Sequence, residues 1–145
     1  MEIYGPCADN LPLILNDVLD RIKQLSSTQV ANGHPKLYEH LIGRVKANDS
    51  MTEKCQRKGY PATPESALRK CRDAVGIRVV CNFIDDVYRC IDLLRDADWC
   101  TIVKEKDYIA NAKPNGYRSY HLILDVVTPY QDIDGQTPGH YFVEI

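Results

Sequence analysis

The spacing of apolar residues predicts an amphipathic helix at the N-terminus. After a helix cap at Asp9 or Asn10, apolar side chains recur every three or four residues, which puts them on one face of a helix. This stripe consists of Leu11, Leu15, Val18, Leu19, Ile22 and Leu25. We expect it to pack on the core of the protein.

Two shorter helices are predicted further along the chain. The S-x-x-E sequence at 50–53 has the form of a capping box, and Gly59 supplies the stop of a helix that includes Lys54. Thr63 and Pro64 have the pattern that opens another helix, with proline in its first turn. This second helix carries the basic stretch "ALRKCRD", and we expect a functional side chain to project where it meets the following strand.

The remaining residues show the pattern of strands interrupted by one helix. "GIRVVCNFI" at 76–84 is continuously apolar at its centre, which predicts a central strand covered on both faces. A helix capped at Asp85 and Asp86 follows and ends near Asp98. Further strands are predicted at 101–109, 117–127 and 140–145. This order of elements predicts an α+β, or mixed α/β, domain in which a sheet is backed by helices.

Length and composition indicate one domain. With 145 residues and 44% hydrophobic content, the chain can bury a substantial core, so we expect a single domain at 1–145, with an N-terminal helix at 1–35 and the core at 36–145. The six cysteines show neither C-x-x-C spacing nor nearby paired histidines, which argues against a zinc site or a disulfide framework. Signal-peptide and membrane-span patterns are absent from the sequence, so we expect a cytoplasmic protein without a membrane partner.

Charge is distributed unevenly, although the net charge is only -2. Residues 36–78 contain ten Lys or Arg against five Asp or Glu, whereas residues 79–145 contain six against eleven. A basic half joined to an acidic half suits a polyanionic ligand that is bound together with a divalent metal. A solvated helix face would give the same composition.

Two carboxylates stand where strands begin or end. Asp73 precedes the strand that starts at Gly76, and Glu144 lies near the end of the last strand. Brought together, they would offer the oxygen ligands that Mg²⁺ shares with substrate phosphates. The alternative is that Asp73 is a surface acid at a helix end and Glu144 an edge-strand charge.

The stretch "KPNGYRSYH" at 113–121 combines a turn signal with groups that bind nucleotides. A turn at 114–116 delivers Tyr117 to the start of a strand, where its ring can stack on a base and Asn115 can contact the base edge. The residues able to reach phosphate are Lys106, Lys113 and His121. Each residue also has a structural explanation: cross-strand packing for Tyr117, a hairpin turn for Asn115 and a core position for the histidine.

Three motifs in this order and spacing, "RDAVGIRVVCNF", "KEKDYIANAKPNGYRSYHLIL" and "YFVEI", closely resemble the synthetase domain of the RelA/SpoT alarmone synthetases. The similarity covers about residues 40–145 and is greatest to the small single-domain members. It implies a nucleotidyltransferase-like fold with a mixed sheet of about five strands. It also implies an enzyme of the stringent response that transfers the β,γ-pyrophosphate of ATP to the 3′-hydroxyl of GTP or GDP, making (p)ppGpp.

The resemblance implies roles for the residues on the side of the donor, ATP. Arg44 and Arg78 match the pair whose guanidinium planes sandwich adenine, a role that suits planar Arg better than Lys. Lys46 and Lys54 resemble the contacts to the ATP phosphates. Asp73 resembles the principal Mg²⁺ ligand.

The acceptor side follows from the same resemblance. Glu144 resembles the acid that shares the metal and activates the 3′-hydroxyl, while Tyr117 would stack on guanine and Asn115 would contact its edge. The acceptor phosphates would be held by Lys106, Lys113 and His121. "KEKD" at 104–107 resembles the R-x-K-D form of the acceptor motif, with Lys104 where arginine is usual, and this favours GTP over GDP.

The resemblance also bears on assembly and leaves alternative functions open. Members of the family continue beyond "VEI" into C-terminal helices that mediate tetramers in small synthetases, so we expect a homo-oligomer if that region is present. A chain without it could be a nucleotide-binding domain that does not turn over. Some relatives are toxins that pyrophosphorylate adenine nucleotides or tRNA, although we do not expect a nucleic acid partner here because Tyr117 and Asn115 fit a small purine site at least as well.

Overall fold

A computed structural model describes residues 2–110 and 119–145. The helices and strands are, in chain order, α1 (Asn10–Ala31), β1 (His40–Val45), α2 (Asn48–Arg57), β2 (Val75–Val80), α3 (Ile84–Asp96), β3 (Cys100–Asp107), β4 (Tyr120–Thr128) and β5 (Gly139–Glu144). Short helical turns lie at Gly5–Cys7 and Ser66–Lys70. The strands form one sheet in the order β1-β2-β5-β4-β3, with β2 parallel to β5 and the other neighbours antiparallel. The predicted mixed sheet with helices is confirmed.

The sheet buries one face and leaves the other open. Along β5, Tyr141 and Val143 are buried, whereas Phe142 and Glu144 are only half-buried, as alternating side chains require. Helix α1 lies on the buried face, so closely that a Cβ at Gly43 would be 2.5 Å from a methyl carbon of Leu15. The prediction that the strand at 76–84 is covered on both faces is therefore wrong.

Helix α1 confirms the predicted amphipathic helix, but the predicted stripe left out Ile14, which is fully buried, and included Leu15, Leu19 and Leu25, which are half-buried. Its most buried apolar residues, Leu11, Ile14, Val18 and Ile22, are each at most 1% exposed. Burying a side chain of this size stabilises a fold by about 1.5–3 kcal/mol. The helix therefore forms one wall of the core, with the buried face of the sheet opposite.

Three details differ from the pattern-based predictions. Strand β1 has no counterpart among the predicted strands: its six residues alternate only between exposed and half-buried and include Gly43 and Arg44, so no apolar repeat marks it. Helix α2 begins at Asn48 and has no side-chain cap at its N-terminus, so the capping box at 50–53 does not form. Strand β2 ends at Val80 and is second in the sheet; the central strand is β5.

Other helix predictions hold with small shifts. Thr63 does open a helical turn, since its hydroxyl oxygen accepts a hydrogen bond from the Ser66 amide at 3.2 Å, and the turn that follows is π-helical. Helix α3 begins at Ile84, which places Asp85 and Asp86 in its first turn instead of at its cap. Acidic side chains in a first turn still favour the helix through its dipole. Of the helices in residues 2–110 and 119–145, none combines the length and apolar character that crossing a bilayer demands.

Gly139 begins β5 where there is no room for a side chain. A Cβ there would lie 2.1 Å from the Tyr130 carbonyl oxygen and 2.8 Å from the Asp132 amide nitrogen, both main-chain atoms. We expect Gly139→Ala to lower the free energy of unfolding by about 2–3 kcal/mol, measured by urea denaturation. Gly76→Ala is the control, because its Cβ would meet nothing closer than Arg44 at 3.9 Å. Equal stability of the two variants would contradict the prediction.

Candidate functional site

A row of aligned residues crosses the open face of the sheet. Strand pairing places Arg44 opposite Gly76, Gly76 beside Glu144, Glu144 opposite Ile123 and Ile123 opposite Lys104. Residues in register on neighbouring strands point to the same face. The two ends of this row are therefore cations, with a carboxylate in the middle.

A second, interrupted row runs alongside the first. Arg78 is opposite Ile42 on β1, and His121 is opposite Lys106 on β3. Strand β5 ends at Glu144, so it contributes no residue between Arg78 and His121. The pairing thus brings five of the predicted site residues to one face: Arg44, Arg78, Lys106, His121 and Glu144.

An irregularity in β3 decides which of its residues face the site. The pairing with β4 shifts by one residue between Ile102 and Lys104, which reverses the side that later residues face. Lys104 and Lys106 consequently share the open face with His121. Glu105 points to the opposite face, where its two carboxylate oxygens each accept a hydrogen bond from Arg95 of α3 at 3.1 Å.

Two cavities connect these residues. A cavity of about 750 Å³ is bordered by Arg78 from β2, His121 from β4 and Glu144 from β5, and it extends to apolar side chains of α3. A second cavity of about 280 Å³ is bordered by Lys104, Lys106, His121 and Glu144. The larger one is in the size range of nucleotide and cofactor sites. Glu144 and His121 border both cavities.

Asp73 forms a separate cluster at the end of the sheet where β2 begins. Its Oδ2 accepts hydrogen bonds from Nζ of Lys46 at 3.0 Å and from Nζ of Lys54 at 2.9 Å. Burial raises the pKa of Asp73, but the two ammonium groups lower it by more, so the pKa lies below its ordinary value. The carboxylate is therefore ionised at neutral pH.

Sheet pairing relates this cluster to Glu144. Gly76 pairs with Glu144 in the parallel β2–β5 ladder, and Asp73 precedes Gly76 by three residues. Asp73 does not border either cavity described above. It is also buried, at 7% exposure, and is not the surface acid that was the alternative.

One oxygen of Asp73 is a candidate ligand for a hard divalent cation. Oδ1 of Asp73 is buried and has no hydrogen-bond partner in the part of the chain that the structure describes, and an orphaned carboxylate oxygen is costly unless a cation or water meets it. Among residues 2–110 and 119–145, no group of three or more His, Cys, Asp or Glu could hold a metal by itself. A cation bound here would therefore take most of its ligands from phosphate and water, as Mg²⁺ commonly does.

Part of the predicted acceptor site lies outside the described residues, namely Lys113, Asn115 and Tyr117. The chain leading to that segment is anchored by Asp107, whose Oδ1 accepts hydrogen bonds from the amides of Ile109 and Ala110 at 2.9 and 2.8 Å. Its Oδ2 accepts one from the Tyr88 hydroxyl of α3 at 2.8 Å. Asp107 thus fixes the point where the chain leaves β3.

His121 is held by its neighbours on the open face. Its Nε2 is 2.8 Å from the Ser119 hydroxyl, and its ring meets the ring of Tyr108 edge-on, with centroids 5.6 Å apart. It is half-buried and borders both cavities, so it is not the fully buried core histidine that was the alternative.

Sequence reasoning missed one contributor to the Asp73 cluster. Tyr4 is buried, and its hydroxyl donates a hydrogen bond of 2.6 Å to the carbonyl oxygen of Lys46. Residues 1–8 show no apolar repeat in sequence, and residues 2–8 form only the short turn at Gly5–Cys7, so the contact across 42 residues of chain is what reveals the connection.

The open face thus carries basic side chains around the carboxylate of Glu144, and the Asp73 cluster lies at the end of the sheet where β2 begins. The family model for the region found in RelA/SpoT proteins matches residues 43–145. The chain belongs to the RelA/SpoT family.

Relatives with names and solved structures agree with this membership. The chain is similar to the GTP pyrophosphokinases YwaC and YjbM of Bacillus subtilis. Identity to YwaC is 38% over 112 residues, covering 76% of this chain and 53% of YwaC. Identity to YjbM is 38% over 107 residues, covering 74% and 47%. The chain thus spans about half the length of these curated relatives.

The fold is also similar to the crystal structure of small alarmone synthetase 1 from Bacillus subtilis bound to its product pppGpp. The TM-score is 0.75 at 31% identity, over 93% of this chain and 66% of that one. The sequence-based identification of the family is confirmed.

Proposed function

We propose that this protein transfers the β,γ-pyrophosphate of ATP to the 3′-hydroxyl of GTP or GDP and so makes (p)ppGpp. The observation that carries the proposal is the large cavity in which Arg78 and His121 flank Glu144. A similar protein has been solved with pppGpp bound as its product. In this cavity Arg78 supplies a cation near the carboxylate of Glu144, and the His121 ring supplies a further group that can hydrogen-bond phosphate.

ATP would bind on the β1–β2 side. Arg44 lies against Gly76, since a Cβ there would be 3.9 Å from carbons of the Arg44 side chain, and Arg78 stands one diagonal step away on the same face. Both side chains are exposed, and planar guanidinium groups stack well on adenine. Lys46 and Lys54 would donate hydrogen bonds to the phosphates while keeping their contacts with Asp73.

The acceptor would bind on the β3–β4 side. Lys106 and His121 would hold its phosphates, together with Lys113, while Tyr117 stacks on the guanine and Asn115 contacts its edge. The cation-rich second cavity supports this placement, because Lys104 adds a further positive charge beside Lys106. A larger positive charge favours GTP over GDP as acceptor.

The orphaned Oδ1 of Asp73 and the carboxylate of Glu144 would hold Mg²⁺, which when bound neutralises charge on the transferring phosphates. Glu144 also accepts the proton of the 3′-hydroxyl. The 3′-oxygen then forms a bond to the β-phosphorus, the bond between that phosphorus and the α–β bridging oxygen breaks, and AMP leaves with this oxygen. Arg78, Lys46 and Lys54 hold the donor in line for this attack.

Parallel incubations with γ-labelled ATP test the function. The purified chain is supplied with Mg²⁺ and one acceptor at a time: GTP, GDP, GMP, ATP or tRNA. We expect AMP and a labelled guanosine product with GTP and GDP, and faster formation with GTP. Product with ATP or tRNA in their place would establish the toxin-like alternative, and nucleotide binding without AMP release would establish a binding domain.

A further inference from the structure

The N-terminal segment, residues 2–8, packs against the loop that carries Lys46. Ile3 and Tyr4 are 2% and 3% exposed, so they belong to the core although they precede α1. The Tyr4 hydroxyl donates to the Lys46 carbonyl oxygen at 2.6 Å, and the Ile3 amide donates to Oδ1 of Asn48 at 2.5 Å. The segment lies ahead of residues 43–145, the part that matches the family model.

These contacts fix the main chain of Lys46 from two sides. Its amide donates to the Ala74 carbonyl oxygen at 2.8 Å, and its carbonyl oxygen accepts from Tyr4. Its ammonium group meanwhile contacts Asp73 at 3.0 Å. A lysine side chain is long and flexible, so the position of its ammonium group depends on how firmly its main chain is held.

The environment of Tyr4 keeps its hydroxyl a donor. Burial raises the pKa of Tyr4 well above its ordinary value, and the negative charge of Asp73 adds to the increase. The hydroxyl therefore remains protonated across the neutral range. Within residues 2–110 and 119–145, the acceptor of this hydroxyl is the Lys46 carbonyl oxygen.

We propose that Tyr4 is a positioning residue for the donor nucleotide, acting through Lys46. This inference rests on the proposed function, in which Lys46 contacts the ATP phosphates. Without the hydroxyl, the turn between β1 and α2 loses one of its two main-chain anchors. The ammonium group then samples positions away from the phosphates, which weakens ATP binding and leaves the acceptor side unchanged.

Tyr4→Phe removes the hydroxyl and keeps the buried ring, and the chain offers a matched control. Tyr141 is also buried, at 4% exposure, and its hydroxyl also donates to a main-chain carbonyl oxygen, that of Gln131, at 2.5 Å. It points to the covered face of the sheet, away from the proposed site. Tyr141→Phe therefore deletes the same kind of hydrogen bond elsewhere.

Three measurements compare the two variants with the wild type. The first is the Kd of α,β-methylene ATP by calorimetry, which needs no turnover. The second is KM for ATP and for GTP together with kcat. The third is amide hydrogen exchange at residues 45–48.

For Tyr4→Phe we expect the ATP-analogue Kd and the ATP KM to rise about three- to tenfold, the size of effect that one hydrogen bond supports. The GTP KM should stay within about twofold, and exchange at residues 45–48 should accelerate. Tyr141→Phe should leave all three readouts unchanged. Asn48→Ala, which frees the Ile3 amide, replaces Tyr4→Phe if that variant does not fold, with the same expected direction.

An unchanged Kd of the ATP analogue in Tyr4→Phe overturns the inference. A rise in the GTP KM equal to that in the ATP KM also overturns it, because it would mean a general structural defect. A wild type that binds the analogue but makes no product refutes the proposed function, while the Kd and exchange comparisons still decide the role of Tyr4. A wild type that binds no analogue overturns both.

Discussion

Asp73→Asn is expected to reduce kcat/KM for pyrophosphate transfer by about three orders of magnitude, since charge neutralisation by a bound metal is worth several kcal/mol in the transition state. The substitution keeps the size of the side chain but removes the negative charge that holds Lys46 and Lys54 at 3.0 and 2.9 Å. It also removes the ionised oxygen that is orphaned in the structure. Initial rates of AMP release at saturating GTP measure the effect.

The control for this variant is Asp134→Asn. Asp134 also contacts a cation, Arg69 at 3.4 Å, but its side chain is 67% exposed and lies away from the cavities. We expect its activity to stay within about twofold of the wild type, because an exposed ion pair contributes at most about 1 kcal/mol to stability. If Asp73→Asn keeps more than a tenth of the wild-type kcat/KM, Asp73 is not the principal metal ligand.

Stability has to be followed in the same variant. A strand-end carboxylate would contribute little to the fold, but Asp73 is 7% exposed and pairs with two lysines. Losing one partner of a buried pair destabilises a protein, although both lysine side chains retain 17% and 19% exposure and can turn towards water. Circular dichroism at the assay temperature therefore has to confirm that the variant is folded.

Glu144→Gln is expected to lower kcat by about 10²–10³-fold, the contribution typical of a general base. The amide cannot accept the 3′-hydroxyl proton, yet it fills the same space between Arg78 and His121 at the cavity wall. We therefore expect the KM values for ATP and GTP to change by no more than about threefold. Steady-state kinetics with each nucleotide varied in turn separate the two effects.

Glu53→Gln is the matched control, because Glu53 is exposed on α2 and outside both cavities. It should behave as the wild type in kcat and in both KM values. A Glu144→Gln variant with wild-type kcat would show that another group receives the proton. A variant with unchanged kcat but a much larger KM for either nucleotide would make Glu144 a binding residue only.

Much of the fold was predictable because local patterns specify it. The apolar repeat of α1, the branched run of β2 and the alternation in β5 each identify an element from its own residues. Strand β1 was not predictable from a local pattern, because its stability comes from pairing with β2 and from α1 packing on Gly43. Helix α2 begins at Asn48, two residues before the capping-box pattern at 50–53, and no side chain caps it. The local pattern therefore did not determine where this helix begins.

In the candidate site, too, residue identities were predictable from local sequence, whereas contacts between distant residues were not. Sequence motifs named Asp73 and Glu144 together with the cations around them, and they did so through family resemblance and turn chemistry, which are properties of short segments. They did not reveal that Lys46 and Lys54 share one oxygen of Asp73, or that Tyr4 supports Lys46. Contacts between residues 27 or 42 positions apart depend on how the elements pack.

The sequence by itself determined the family, the types of most elements and the residues that carry the proposed chemistry, because periodicity and motifs are properties of short segments of the chain. Only the tertiary structure decided which side chains meet. The one-residue shift in β3 turns Lys104 and Lys106 to the open face, and the parallel β2–β5 pairing sets Glu144 beside Gly76. Strand register depends on hydrogen bonds between distant segments, so no local pattern could specify it.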